Sequence, residues 1–62
     1  MFEIKSFNSH ARLDWDNAIT SLTVGAKIAR PYAIYLLVLA QEQQHGIIRD
    51  LNGKRFIIRK VQ

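Results

Sequence analysis

Hydrophobic and polar residues alternate with a period of two at the start of the chain. From Phe2 onwards, every second residue belongs to the same side of an extended segment, and several of these residues favour β structure. The pattern predicts a short N-terminal strand over residues 2–7. Asn8-Ser9-His10 then breaks the alternation with residues typical of turns and helix caps, so we expect the strand to end there.

The middle of the chain has helical spacing. Asp14 is suited to accept a hydrogen bond from a free backbone N–H at a helix start. The apolar residues that follow at helical spacing form one stripe, made of Trp15, Ala18, Ile19 and Leu22. Thr23 is placed to cap a second, short helix that runs to Ala29. The chain should then break at Arg30-Pro31, because proline restricts the preceding residue to extended geometry and suits the first position of a new helix.

A charge-free apolar run occupies residues 32–40 and continues into a segment rich in glutamine. Its composition favours a helix over residues 32–44, although a buried central strand, giving a β-α-β-β-β order, also fits a run of this kind. A helix that is apolar on nearly all sides needs cover that a short chain can hardly supply. We therefore expect a homodimer formed through the helix over residues 32–40.

The C-terminal segment predicts a β-hairpin. Asn52-Gly53 separates two β-rich runs, residues 47–51 and 54–61, and this dipeptide suits a type I′ turn. The two-residue turn predicts a register in which four pairs face each other: Leu51 with Lys54, Asp50 with Arg55, Arg49 with Phe56 and Ile48 with Ile57. Both faces carry apolar residues near the base and charges near the tip. We therefore expect a packed base and a projecting tip.

Composition limits the range of functions. The chain has 62 residues, no cysteine and 48% hydrophobic residues, which fits one small α+β domain spanning residues 1–62. No signal peptide or membrane-spanning run is visible, so we expect a cytoplasmic protein that does not enter a membrane. The two histidines and five acids form no recognisable catalytic or metal-binding arrangement. We therefore expect no enzymatic activity, no metal and no cofactor.

The net charge of +4 is confined to the C-terminal hairpin. Up to residue 48, four basic residues balance four acidic ones. The remaining segment contains a single acid, Asp50, and five bases: Arg49, Lys54, Arg55, Arg59 and Lys60. A local excess of this kind attracts phosphates or acidic partners, although charges on a strand can also serve only to prevent edge-to-edge aggregation.

The order of these predicted elements resembles the winged helix-turn-helix family of DNA-binding domains. The resemblance covers about two-thirds of the chain. It rests on Leu22-Thr23-Val24 opening the second helix, a third helix over residues 31–44, and His45-Gly46-Ile47-Ile48-Arg49 leading into a wing over residues 50–55. It implies a small DNA-binding regulator or accessory factor whose wing contacts phosphates and whose third helix approaches the groove.

Two functional hypotheses follow. In the first, the protein binds DNA through residues of the hairpin and of the start of the third helix: Arg30, Tyr32, Tyr35, Arg49, Lys54, Arg55, Arg59 and Lys60. In the second, it is an interaction module, such as a phage- or plasmid-type inhibitor or adaptor, that docks on a host protein through the apolar helix.

Overall fold

The computed structural model describes residues 1–61. It is an α+β fold in which a four-stranded antiparallel sheet packs against two α-helices. The elements in chain order are β1 (Phe2–Ser6), β2 (Ser9–Leu13), α1 (Trp15–Thr20), a π-helical turn (Ser21–Gly25), α2 (Arg30–Glu42), β3 (Ile47–Leu51) and β4 (Lys54–Lys60). Among the described residues, no helix is long and apolar enough to cross a membrane.

The first and last strands lie side by side in the centre of the sheet, whose order is β2-β1-β4-β3. The β1–β4 ladder runs from the pair Phe2–Lys60 to the pair Lys5–Ile57. Beyond its first pair, the N–H of Val61 donates to the carbonyl of Met1 at 2.9 Å. Two hairpins, formed by β1–β2 and β3–β4, therefore join edge to edge, and the helices connect them.

The two faces of the sheet differ in character. The helix-covered face supplies the strand part of the core, which consists of Phe2, Ile4, Ile47, Leu51, Phe56 and Ile58. Fully buried helical residues, among them Leu22, Leu36 and Leu37, complete this core. The other face has no covering element among the described residues and carries mostly charged and polar side chains. Burial of the apolar set stabilises the fold at about 25 cal/mol per Å² of surface removed from water.

An N-terminal hairpin replaces the single strand that the sequence predicted. Ser9 and His10 do not cap a helix but begin β2, which pairs with β1 from Ser6–Ser9 to Phe2–Leu13. Only Phe7 and Asn8 form the turn. The error has a physical basis: β2 is an edge strand of mostly polar residues, in which Ala11 and Leu13 are only half-buried, so its pattern is weak.

The structure confirms the predicted helix start at Asp14, whose side-chain Oδ1 accepts from the N–H of Asn17 at 2.9 Å. The predicted second short helix through Ala29 is wrong. A π-helical turn extends α1 instead, and Ala26 donates to the carbonyl of Ser21 at 3.3 Å. The interhelix loop, residues 26–29, is not helical, and Lys27 within it has a φ of 58°.

Residues 30–42 are a helix and not a central strand, which settles the alternative that the apolar run left open. Pro31 lies in the first turn, but the predicted extended geometry of Arg30 is wrong: α2 begins at Arg30, and the extended residue before it is Ala29. The helix ends two residues before the expected Gln44. One side of α2 is buried through Ala33, Leu36, Leu37 and Ala40. The protein's own sheet and α1 therefore cover much of the apolar surface that had suggested a dimer.

The C-terminal hairpin has the predicted register at all four pairs. Its turn has positive φ at both central residues, 51° at Asn52 and 84° at Gly53, as a type I′ turn requires. The predicted projecting tip is exposed at residues 52–55, but it is not free of the rest of the fold. Asn52 Nδ2 donates to the carbonyls of Ala26 at 2.7 Å and Lys27 at 3.0 Å, so the tip is bonded to the interhelix loop.

Candidate nucleic-acid interface

Both hairpin turns and the interhelix loop lie at the same end of the sheet, which we call the turn end. The antiparallel ladders place the β1–β2 turn beside the start of β4, and Asn52 bonds the β3–β4 turn to the loop. Since α2 begins at Arg30, directly after the loop, its N-terminus also starts here. Segments far apart in sequence therefore contribute side chains to one end of the fold.

Positive charge is concentrated at the turn end. Five basic residues belong to its strands, loop and helix start: Lys5, Lys27, Arg30, Lys54 and Arg55. All five are exposed, and Asp50 is the one acid on this part of the fold. The opposite end, where Met1 meets Val61, holds Glu3, Asp14, Asp16 and Glu42 beside Arg12, Arg59 and Lys60. The excess of positive charge therefore lies at one end of the folded protein and includes residues from outside the C-terminal segment.

The predicted basic residues of the hairpin do not form one cluster. Lys54 and Arg55 lie at the turn end, whereas Arg59 and Lys60 lie at the far end of β4. Six residues of extended strand separate Lys54 from Lys60 by about 20 Å. This distance is about twice the screening length at 0.1 M salt, so the two ends of the strand act nearly independently on a ligand.

Arg59 is held by a nearly buried carboxylate on the uncovered face. Its Nε and Nη2 atoms donate to Oε1 of Glu3 at 3.2 and 2.9 Å, and His10 Nε2 donates to Oε2 at 2.7 Å. The hydrogen bonds from His10 and then Arg59 lower the pKa of Glu3 from 4.5 to about 2, against the opposing effect of burial. Glu3 thus offsets much of the positive charge that Arg59 would offer to a phosphate.

Arg55 has a weaker partner. Its Nε lies 3.4 Å from Oδ1 of Asp50 across the β3–β4 ladder, and both side chains are more than two-thirds exposed. An exposed pair of this kind contributes at most about 1 kcal/mol. Arg55 can therefore turn towards an anion at little cost. Arg49 precedes Asp50 in β3 and lies further from the turn. It is half-buried, and its Nη1 donates to the carbonyl of Ile48 at 2.8 Å.

Tyr32 and Tyr35 lie exposed on α2, one helical turn apart. Their rings are stacked with centroids 6.3 Å apart and planes inclined by 14°. Trp15, by contrast, packs its ring 5.9 Å from that of Phe2 at the opposite end. Arg30 and the two tyrosines thus extend the turn end along the helix, while Trp15, 37% exposed, packs against the edge of the core at Phe2.

Three residues of the turn end were missed by the sequence reasoning: Lys5, Phe7 and Lys27. Lys27 is notable because its φ of 58° is unfavourable for a lysine by roughly 1 kcal/mol, where glycine or asparagine would be easier. Phe7 is 88% exposed in a turn, which neither core packing nor turn chemistry explains. The positive φ has no signal in the sequence, whereas a phenylalanine at the end of a predicted strand could have been noticed.

An open cleft of about 520 Å³ lies at the turn end, between the two hairpins. It is lined by Lys5, Ser6, Phe7, Gly53, Lys54, Arg55 and Ile57. The cleft combines an aromatic ring with three basic side chains, which suits a ligand that has both a flat apolar part and a negative charge. Within residues 1–61, no group of three or more His, Cys, Asp or Glu side chains could hold a metal ion.

The chain was compared with family models, curated proteins and solved structures. No family model matches it, and neither the curated proteins nor the solved structures gave a significant match. The functional reading therefore depends on the geometry and charge of the turn end.

Proposed function

We propose that this protein binds DNA through phosphate contacts at the turn end. The observation that carries the proposal is the placement of five exposed basic residues from four separate segments at one end of the fold. Neutralising phosphates releases condensed counterions, which drives binding and makes it depend on salt. The positive φ of Lys27, a backbone conformation unfavourable for lysine, supports a role for its charge.

In this proposal Lys54 and Arg55 hold phosphates, and Arg30, Tyr32 and Tyr35 meet the neighbouring backbone or groove. The winged-helix resemblance assigns the same division, with the β3–β4 hairpin as wing and α2 as the helix near the groove. Arg49 is half-buried, Arg59 is paired with Glu3, and Lys60 is remote from the turn end. These three residues therefore contribute mainly to the overall electrostatic attraction of DNA. Such a role fits a small cytoplasmic regulator or accessory factor.

The salt dependence of binding measures how many phosphates are neutralised. If each of the five basic residues at the turn end neutralises one phosphate of duplex DNA, the slope of log affinity against log salt is about −4.5. Affinity then falls about 500-fold between about 50 and 200 mM salt. Fluorescence anisotropy with a labelled duplex of mixed sequence gives this slope directly.

Charge reversal tests where the contacts lie. The double variant Lys54→Glu/Arg55→Glu should bind much more weakly and lower the magnitude of the slope by about 2. The matched control, Arg12→Glu/Lys60→Glu, changes the net charge equally at the opposite end and should keep most of the slope. Equal losses in the two variants, or no binding of duplex or single-stranded DNA by the wild type at about 50 mM salt, would contradict the proposal.

A second function is favoured by the outer side of α2. Tyr32, Tyr35 and Val38 are each at least 40% exposed at helical spacing and form an apolar stripe. We propose this stripe for contact with a second copy of the chain or with a host protein, as in an inhibitor or adaptor. Sedimentation equilibrium should show a dimer that Tyr35→Glu dissociates. A monomer at all concentrations, with DNA binding intact, favours the first function alone.

A further inference from the structure

The cleft at the turn end exists because the two central strands separate. The β1–β4 ladder ends at the pair Lys5–Ile57. Beyond this pair, Ser6 continues only with β2, while residues 54–56 continue only with β3. The two hairpins therefore diverge and leave the cleft between the ring of Phe7 and the start of β4.

The β3–β4 register also points a backbone donor into the cleft. Leu51 and Lys54 flank a two-residue turn, so they form the hydrogen-bonded pair of the hairpin. The next pair, Asp50–Arg55, is then of the non-hydrogen-bonded kind, and the N–H of Arg55 faces away from β3, towards the cleft. A main-chain donor thus lies at Arg55, whose side chain is on the same face of the sheet as Lys5, while the side chain of Lys54 leaves the opposite face.

The opposite wall is apolar and flat. Phe7 is 88% exposed, and Ile57 at the inner side of the cleft is 39% exposed. A phenyl ring in this position offers a face to another planar group, and stacking on aromatic side chains is how proteins hold unpaired bases. A base within a duplex already has neighbours on both faces, so a single ring on a turn has access only to an unpaired one.

We propose that the cleft binds one unpaired nucleotide of single-stranded DNA. The base stacks on Phe7, and the adjoining phosphate is held by the side chain and the N–H of Arg55, with Lys5 and Lys54 adding positive charge. A volume of about 520 Å³ lies within the usual range for small-ligand sites. The inference deepens the proposed function and rests on it, since the same basic residues supply the phosphate contacts.

The test compares single-stranded and duplex DNA. Fluorescence anisotropy is measured with a labelled oligothymidylate of about ten nucleotides and with a duplex of the same length. Phe7→Ala should weaken binding of the single strand roughly 5- to 150-fold, the equivalent of one stacked base. It should leave duplex affinity within about twofold, because the phosphate contacts remain. Phe7 is exposed, so the variant should melt like the wild type.

Phe7→Trp is the conservative control. It should retain single-strand affinity, and the added indole should be quenched when the oligonucleotide binds, unlike the fluorescence of Trp15 in the wild type. An unchanged single-strand affinity in Phe7→Ala, or an equal loss on duplex, overturns the stacking site. If Lys54→Glu/Arg55→Glu still weakens both DNAs in that case, the proposed function stands. If no DNA binds to the wild type, both fail.

Discussion

Asn52 joins the β3–β4 turn to the interhelix loop, and its replacement tests whether this link organises the turn end. The side chain makes two hydrogen bonds, at 2.7 Å to the carbonyl of Ala26 and 3.0 Å to that of Lys27. Its backbone has a φ of 51°, which asparagine tolerates better than most residues. Asn52→Ala removes the hydrogen bonds and also replaces asparagine with a residue that tolerates this φ less well. Asn52→Gly removes only the hydrogen bonds.

The expected loss follows from these two contributions. Each hydrogen bond stabilises the fold by about 0.5–1.5 kcal/mol, so Asn52→Gly should lower the free energy of unfolding by about 1–3 kcal/mol. Alanine adds about 1 kcal/mol of left-handed backbone strain, which gives about 2–4 kcal/mol for Asn52→Ala. A domain of this size has a total stability of about 3–9 kcal/mol. The alanine variant should therefore melt on the order of 10 °C or more below the wild type.

Urea unfolding measures both variants. Trp15 is the single tryptophan and packs against Phe2, so its emission should change when the core opens. The midpoint should fall in the order wild type, Asn52→Gly, Asn52→Ala, with an unchanged dependence on urea. If both variants stay within about 0.5 kcal/mol of the wild type, the turn is not held by this side chain. If the two variants are equally stable, the left-handed backbone strain assigned to alanine at this position is wrong.

Three further predictions test the sheet and the core. The pKa of Glu3 in the folded protein, about 2, lies below its ordinary value of 4.5. The stabilisation that ionised Glu3 provides is therefore full above pH 4.5 and is lost as the pH falls towards 2. Glu3→Gln should flatten the pH dependence of the urea midpoint in that window. Gly46→Ala should destabilise strongly, since a Cβ there would lie 2.6 Å from the carbonyl oxygen of Ile58 at a φ of 81°, whereas the control Gly25→Ala meets no atom within 4 Å and should melt at or slightly above the wild-type temperature. Leu37→Ala should cost about 2–5 kcal/mol in urea unfolding, because the side chain is fully buried in the core; a loss under about 1 kcal/mol would contradict its placement there.

The parts of the fold that were predicted correctly have strong local determinants. Asn52-Gly53 dictates a turn type, and the turn type dictates the register of β3 and β4. Asp14 and Pro31 mark helix starts through backbone chemistry that acts within a few residues. β2 was missed because its assignment depends on pairing with β1, and the polar residues of an edge strand give no local signal of a partner.

The candidate site was only partly predictable for a related reason. Lys54 and Arg55 were found because the charge excess in their segment is visible in the sequence. Lys5 and Lys27 join them only through tertiary contacts, namely the β1–β4 ladder and the bonds from Asn52. The pairing of Arg59 with Glu3 spans 56 positions, and no pattern over so long a separation distinguishes it from the other basic residues.

The adjacency of β1 and β4 constrains the order in which the protein can fold. The sheet centre cannot close until β4 has left the ribosome, although the β1–β2 hairpin is synthesised first. Until then β1 has one unpaired edge, and its apolar residues Phe2 and Ile4 lack the neighbours they have in the native core. Closing a loop of nearly the full chain is slow compared with forming either hairpin. Nascent chains should therefore acquire protease resistance late, and abruptly, once residues 54–60 are available.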